Sequence, residues 1–198
     1  MTSIQATAVS AALAVLVLAP LSPNRMLAQA GTEIAGVAVP ATVDAGGQTL
    51  VLNGAALRKK SIVKVYVAGL YLPAKSSDAT AILASDGPRE LRMQFVRDVG
   101  KDKMCEAWDE SLENNSPGAD AQLQGEFKQL CGFMQDLKKG DVMAFTYLPA
   151  TGTTVEIAGQ KKGTIAGKPF ADALFKSWIG PKPGPGEDFK RHLLGVKE

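Results

Sequence analysis

Residues 52–73, LNGAALRKKSIVKVYVAGLYLP, join a basic entrance to a long apolar run. Side chains alternate between two faces along a strand. One face carries Val63, Val65 and Val67, and the other carries Ile62, Lys64, Tyr66, Ala68 and Leu70. Apolar residues on both faces are typical of a strand that is buried within a sheet. The segment therefore predicts a central strand that starts beside three cationic residues.

The cationic entrance allows two interpretations. In the first, Arg58, Lys59 and Lys60 form a solvated turn, and Tyr66 is packed in the core. In the second, Arg58 and Tyr66 form the polar end of an apolar cleft. A buried guanidinium needs an anion or hydrogen-bond acceptors, and a buried phenol needs a hydrogen-bond partner. A carboxylate or phenolate that entered such a cleft would gain charge-assisted hydrogen bonds.

The segments on either side of this strand predict short elements. Before it, short strands surround a turn at Gly46 and Gly47. After it, a short helix is expected, with Ser76 or Ser77 as its N-cap. Residues 89–99 alternate between apolar and polar side chains, which predicts a strand that is solvated on one side.

The second half of the chain predicts two helices, then strands, then helices. Apolar residues recur at helical spacing in residues 102–115 and 121–140, with Gly140 as the C-cap of the second helix. Residues 141–167 predict a meander of three strands, and a helix that stops at Gly180 precedes a last helical turn. Because the helices are grouped, the order predicts an α+β fold with a large antiparallel sheet covered on one face by helices.

The two cysteines lie one on each helix of the predicted helical hairpin. Gly118 is midway between Cys105 and Cys131 and at the centre of the connecting segment SPGAD. Residues equidistant from the turn lie level with each other in such a hairpin. If the protein is exported to an oxidising compartment, we therefore expect a disulfide, which would contribute roughly 3–4 kcal/mol. The alternative is a pair of buried free thiols.

The N-terminal segment is typical of a targeting sequence. Residues 6–21, ATAVSAALAVLVLAPL, are apolar and uncharged, and Ala28 and Ala30 have the spacing of a signal-peptidase site. We expect a signal peptide over residues 1–30, cleavage near Ala30, and a periplasmic or secreted domain over residues 31–198 with no stable membrane span. The alternative is an uncleaved membrane anchor.

Composition argues against several classes of function. Lys and Arg total 22 against 20 Asp and Glu, so the dense positive face of a nucleic-acid binder is not expected. His192 is the only histidine, which disfavours a nucleophile–base triad and a metal site. The chain has no glycine-rich motif for a nucleotide or phosphate. We therefore expect no cofactor, no metal and no nucleic acid.

Three segments resemble the chalcone isomerase-like family, in its bacterial exported branch. They are LNGAALRKKSIVKVYVAGLYL (52–72), LPATGTTVEIAGQKKGTIAG (148–167) and FADALFKSWIGPKPGPGEDFKRHLLG (170–195). The resemblance runs from about Ala35 to Gly195 and implies an open-faced β-sandwich, which agrees with the order of elements. The family includes the enzyme that closes a chalcone to a flavanone, fatty-acid-binding relatives and non-catalytic helpers.

The resemblance implies roles for two residues of the opening segment. Arg58 stands where the enzymes have the Arg that polarises the substrate. Tyr66 stands where the enzymes have Thr and where the fatty-acid binders have a Tyr that holds a carboxylate together with the Arg. The chain departs from the enzymes elsewhere, since residues 101–108 contain neither Tyr nor Asn and Ala171 occupies the place of their last polar group.

Three functions follow as hypotheses. The resemblance favours an exported binder of a small amphipathic anion such as a fatty acid, with the head group on Arg58 and Tyr66 and the tail against Leu70 and Trp108. The first alternative is an isomerase of the intramolecular-lyase type, with Arg58 as the electrophilic clamp and Tyr66 as acid, base or hydrogen-bond donor. The second is a non-catalytic structural protein of the cell envelope.

Overall fold

The computed structural model describes residues 31–196, which form nine strands and five helices. The strands are β1 (Thr32–Ile34), β2 (Val37–Val39), β3 (Thr42–Ala45), β4 (Gln48–Lys60), β5 (Val63–Leu72), β6 (Arg89–Phe95), β7 (Val142–Leu148), β8 (Gly152–Ile157) and β9 (Gln160–Ile165). The helices are α1 (Ala79–Ala84), α2 (Lys101–Asn115), α3 (Ala121–Phe133), α4 (Lys168–Ile179) and α5 (Glu187–Leu193).

Strands β3 to β9 form one antiparallel sheet in which each strand pairs with its neighbour in sequence. Strands β1 and β2 form a separate hairpin. Helices lie against one face of the large sheet, and the small hairpin packs on part of the other face. The predicted α+β fold, a large antiparallel sheet with a helical layer, is confirmed.

The alternation predicted for β5 separates the two cores. Ala68 and Leu70 are fully buried in the core between the sheet and the helices. Val67 and Tyr71 are buried on the opposite face, against Val39 of the small hairpin. Both faces of β5 are covered, which explains why polar residues are nearly absent from its second half.

The cationic residues at the start of the quoted segment lie on a strand. Strand β4 continues through Arg58 and Lys59 to Lys60, and the turn consists of Ser61 and Ile62. The interpretation of Arg58–Lys60 as a turn is therefore wrong. The cross-strand hydrogen bonds with β5 extend the sheet to the tip of this hairpin.

The N-cap of helix α1 lies one residue after Ser77 and two residues after Ser76, the two predicted caps. Its N-cap is Asp78, whose carboxylate accepts hydrogen bonds from the backbone N–H groups of Thr80 and Ala81. The carboxylate accepts hydrogen bonds from two backbone N–H groups that have no partner within the helix, and its negative charge is stabilised by the positive end of the helix dipole. The prediction of Ser76 or Ser77 as the cap is wrong.

Helix α3 ends earlier than its apolar spacing predicts. It stops at Phe133, and the chain then extends so that Leu137 pairs with Val99 through two backbone hydrogen bonds. Gly140 is not a C-cap but part of the turn before β7, with φ of 97°. The backbone hydrogen bonds to Val99 replace those of a further helical turn. No local feature of the sequence around Leu137 indicates this pairing.

Cys105 and Cys131 form a disulfide that joins α2 to α3, with their Cα atoms 5.3 Å apart. Gly118 lies in the connection with φ of 83°, a conformation that glycine adopts without strain. The predicted bridge is confirmed, and the alternative of two free thiols is wrong.

Helix α5 is fixed to β4 by a close backbone contact. A Cβ atom at Gly54 would lie 2.1 Å from the backbone oxygen of His192, so only glycine fits there. The neighbouring Asn53 donates from Nδ2 to the backbone oxygen of Leu193 at 2.8 Å and accepts from the backbone N–H of Ser76 at 2.7 Å. These contacts hold α5 beside the first half of the β4–β5 hairpin.

Within residues 31–196, no helix has both the length and the apolar character needed to cross a membrane. In the same range, no group of three or more His, Cys, Asp or Glu side chains is arranged to bind a metal. The predicted leader, residues 1–30, lies outside the described part of the chain.

Candidate functional site

Arg58 and Tyr66 are direct cross-strand partners in the β4–β5 hairpin. Residues that face each other in an antiparallel pair point to the same side of the sheet. Ala56, two residues before Arg58, is buried in the core under the helices, so the Arg58–Tyr66 pair lies on the helix-covered side. Arg58 is partly exposed, and no ion pair among the described residues involves it.

The Tyr66 hydroxyl is held by a neighbouring indole. It accepts a hydrogen bond from Nε1 of Trp178 at 3.1 Å, and its ring packs against Phe95 and Phe189 with centroid distances of 5.5 and 6.0 Å. Burial raises the pKa of Tyr66 to about 12, although the Trp178 hydrogen bond and the Arg58 charge act in the opposite direction. The phenol is therefore neutral near pH 7, and its own proton is available for donation.

Leu70 and Trp108 lie in the same helix-covered layer as Tyr66. Leu70 is fully buried, and the Trp108 side chain is 7% exposed. The Trp108 ring packs against Trp178 and Phe145 at 5.6 and 5.7 Å, and its Nε1 is buried without a hydrogen-bond partner. Trp178 thus touches both Tyr66 and Trp108, and packed side chains occupy the space between sheet and helices.

Two cavities are lined by other residues than the predicted site residues Arg58, Tyr66, Leu70 and Trp108. A cavity of about 130 Å³ lies on the other face of the sheet, bordered by Val39, Tyr71 and Arg92 among others. A second, of about 250 Å³, lies where β5 ends beside α1 and is bordered by Leu72 and Arg89 among others. The predicted pair of Arg58 and Tyr66 is brought together, whereas the predicted tail-lining residues belong to the packed core.

A buried arginine was missed by the sequence analysis. Arg89 is 1% exposed and lies between the rings of Tyr147 and Phe175, 4.8 and 4.9 Å from their centroids. It donates to the backbone oxygen of Ile82 at 3.1 Å and forms an ion pair with Asp172 of α4. Arg89 therefore joins α1, α4 and β6 inside the helix-covered core.

The signal that would have found Arg89 is the alternation of its strand. Leu91 and Met93 lie on the buried face of β6, and Arg89 has the same parity. A charged side chain on a buried face requires a counter-ion and acceptors, which the fold supplies from residues far away in sequence.

The family model described as chalcone isomerase-like matches residues 31–195. The chain belongs to the chalcone isomerase-like family. A crystal structure of an Arabidopsis thaliana fatty-acid binding protein is similar in fold, with a TM-score of 0.61 over 80% of this chain and 92% of that chain. The two sequences are 19% identical, so the likeness concerns the fold of this chalcone isomerase-like protein. A search of curated proteins found no match.

Proposed function

We propose that the protein binds a small amphipathic anion such as a fatty acid, with the carboxylate held by Arg58 and Tyr66. The observation that carries this proposal is the direct pairing of the two residues on the helix-covered side of the sheet. The fatty-acid binding protein of similar fold supports the class of ligand.

The hydrogen-bond roles at Tyr66 suit a carboxylate. Its oxygen already accepts from Trp178, and its raised pKa keeps the phenol protonated, so the remaining role is donation. The Arg58 guanidinium has parallel N–H groups that match the two oxygens of a carboxylate. Together the two residues would offer an anion two donors from the charged guanidinium and one from the neutral phenol, at the edge of an apolar layer.

The ligand tail has one apolar direction to follow, the helix-covered side of β5. Ala68 and Leu70 succeed Tyr66 on that side, and Trp108 packs above them. Because these side chains are packed, a bound tail must displace neighbours. Phe189 of the short helix α5 covers the Tyr66 ring and is the side chain we expect to move first.

The isomerase alternative is less well supported by the same residues. A phenol whose pKa is raised to about 12 is a poor general base near pH 7. Ala171, at the place of the enzymes' last polar group, is fully buried in the apolar core and offers no hydrogen bond. We expect chalcone cyclisation at no more than the spontaneous rate.

The proposal is tested by binding of a fluorescent fatty acid and its displacement by unlabelled palmitate. Arg58→Ala removes a charged hydrogen-bond donor and should weaken binding at least about tenfold. Tyr66→Phe removes a neutral donor and should weaken it by about fivefold. Lys60→Ala is the matched control, because Lys60 is an exposed cation two residues from Arg58.

Equal affinities of the wild type and Arg58→Ala would exclude the proposed anchor. A loss for Lys60→Ala as large as for Arg58→Ala would mean that general positive charge, rather than the paired site, attracts the ligand. Flavanone formation above background, abolished by Arg58→Ala, would favour the isomerase.

We also infer that the protein is exported, with its leader removed near Ala30. The disulfide between Cys105 and Cys131 fits an oxidising compartment, and the small-residue spacing before Gly31 fits signal peptidase. N-terminal sequencing of protein recovered from the periplasm or medium should give a chain that begins near Gly31. Recovery only from the membrane, with Met1 retained, would instead support an anchor.

A further inference from the structure

The tip of the β4–β5 hairpin exposes an apolar side chain. Ile62 is 91% exposed and Val63 is 40% exposed. Ile62 lies in a two-residue turn with Ser61, where polar residues and glycine are usual. Neither core includes it, so the isoleucine contributes nothing to packing within residues 31–196.

Cations surround this apolar tip. The two strands that flank the turn carry three exposed lysines, Lys59, Lys60 and Lys64. None of these lysines forms an ion pair with another described residue. The sequence has no Asp or Glu between Asp44 and Asp78. The tip therefore carries a concentrated positive charge around an isoleucine.

The helix packed beside the hairpin does not cancel this charge. Helix α5 begins with Glu187 and Asp188, but it also carries Lys190 and Arg191. The formal charges of these four residues therefore sum to zero. Lys190 lies 3.6 Å from Glu187 and pairs with it. The positive excess at the lysines of the hairpin remains.

We propose that the tip of the β4–β5 hairpin, residues 59–64, docks the protein on anionic lipid surfaces. Lysines near an anionic bilayer surface are attracted to the lipid head groups, and an exposed isoleucine gains by leaving water for the boundary of the acyl chains. A protein partner could also bury the isoleucine. The three unpaired lysines, however, match an extended anionic surface better than they match a single acidic patch on a protein.

The docked orientation gives the tip a role in ligand exchange. Tyr66 is four residues from Ile62 along β5, a distance of roughly 13 Å in a strand. Docking would therefore bring the Arg58–Tyr66 pair close to the head groups, where amphipathic anions reside. This role rests on the proposed function, whereas docking itself does not depend on it.

The test is binding of the full chain to vesicles of phosphatidylcholine, with and without phosphatidylglycerol. Replacing Lys59, Lys60 and Lys64 with Gln should weaken binding to the anionic vesicles by about a hundredfold, and Ile62→Ser by roughly tenfold. The charge-matched control replaces the exposed Lys128, Lys161 and Lys182 with Gln and should bind as the wild type does. The segment before residue 31 is identical in all variants.

Equal losses in the two triple variants would overturn the assignment to the tip, as would full binding by Ile62→Ser. Failure of the wild type to bind either kind of vesicle would also overturn it and would leave a protein partner as the occupant. Fatty-acid affinity measured without vesicles should be unchanged in Ile62→Ser. If the proposed ligand-binding function is wrong, neither protein will bind the fatty acid, and the vesicle experiment will still test docking.

Discussion

Tyr66 shows how a packed environment selects one chemical role for a side chain. Its ring lies against Phe95 and Phe189, and Trp178 donates to its oxygen. The strand pattern predicted which face of the strand Tyr66 occupies, and the cleft interpretation placed Tyr66 near Arg58, but the direct cross-strand pairing of the two residues was not predicted. The donor from Trp178 could not be predicted, because that residue is 112 positions away and depends on how α4 packs.

The pKa of Tyr66 gives a prediction about pH. Burial raises that pKa from 10.0 to about 12, so the phenol ionises at lower pH in the unfolded chain than in the folded one. Below about pH 10 the phenol is neutral in both states, so its ionisation does not change the free energy of unfolding. As the pH rises from about 10 to 12, ionisation in the unfolded chain lowers the free energy of unfolding. The difference in tyrosinate absorbance between the wild type and Tyr66→Phe should titrate near pH 12. A midpoint near 10 would contradict the burial of the hydroxyl.

Arg89 gives a prediction about stability. Arg89→Met keeps the volume but leaves the Asp172 carboxylate with Lys168 alone and removes the donor to the backbone oxygen of Ile82. The free energy of unfolding, measured with urea, should fall by about 3 kcal/mol. Lys103→Met is the control, because Lys103 pairs with Glu106 on the exposed surface and its loss should leave the midpoint unchanged. A stable Arg89→Met protein would mean that the buried ion pair is dispensable.

At the level of elements, helix ends were harder to predict than strands. The alternation of β5 and β6 follows from burial on each face, which the sequence records at every second residue. The end of α3 depends on the pairing of Leu137 with Val99, a contact between segments on either side of the helical hairpin. Apolar spacing cannot distinguish a helical turn from an extended segment that buries the same leucine.

The disulfide between α2 and α3 gives a prediction for this pair of helices. It closes a loop between residues 26 positions apart, and the chain-entropy model assigns such a loop about 3.5 kcal/mol. Replacing Cys105 and Cys131 together with Ala should lower the free energy of unfolding by about that amount. Reduction of the wild type should have the same effect. A loss below about 1 kcal/mol would mean that the hairpin is held by packing alone.

At the scale of the whole molecule, the sequence predicted an open sheet with one helical layer, and the structure confirms it. Grouped helices, turn glycines and strand alternation were sufficient for that prediction. The cleft was less predictable, since Leu70 and Trp108 fit a ligand-lining role and a packed core equally well in the sequence. The structure shows both in the packed core.

The central claim is that Arg58 and Tyr66 hold a carboxylate, and its most direct test is carbon-13 NMR of a fatty acid labelled at the carboxyl carbon. A carboxylate beside the Arg58 guanidinium should titrate at least about one pH unit lower in the wild type than in Arg58→Ala. Lys60→Ala should match the wild type. The same titration in the wild type and Arg58→Ala, or no bound signal in the wild type, would contradict the claim.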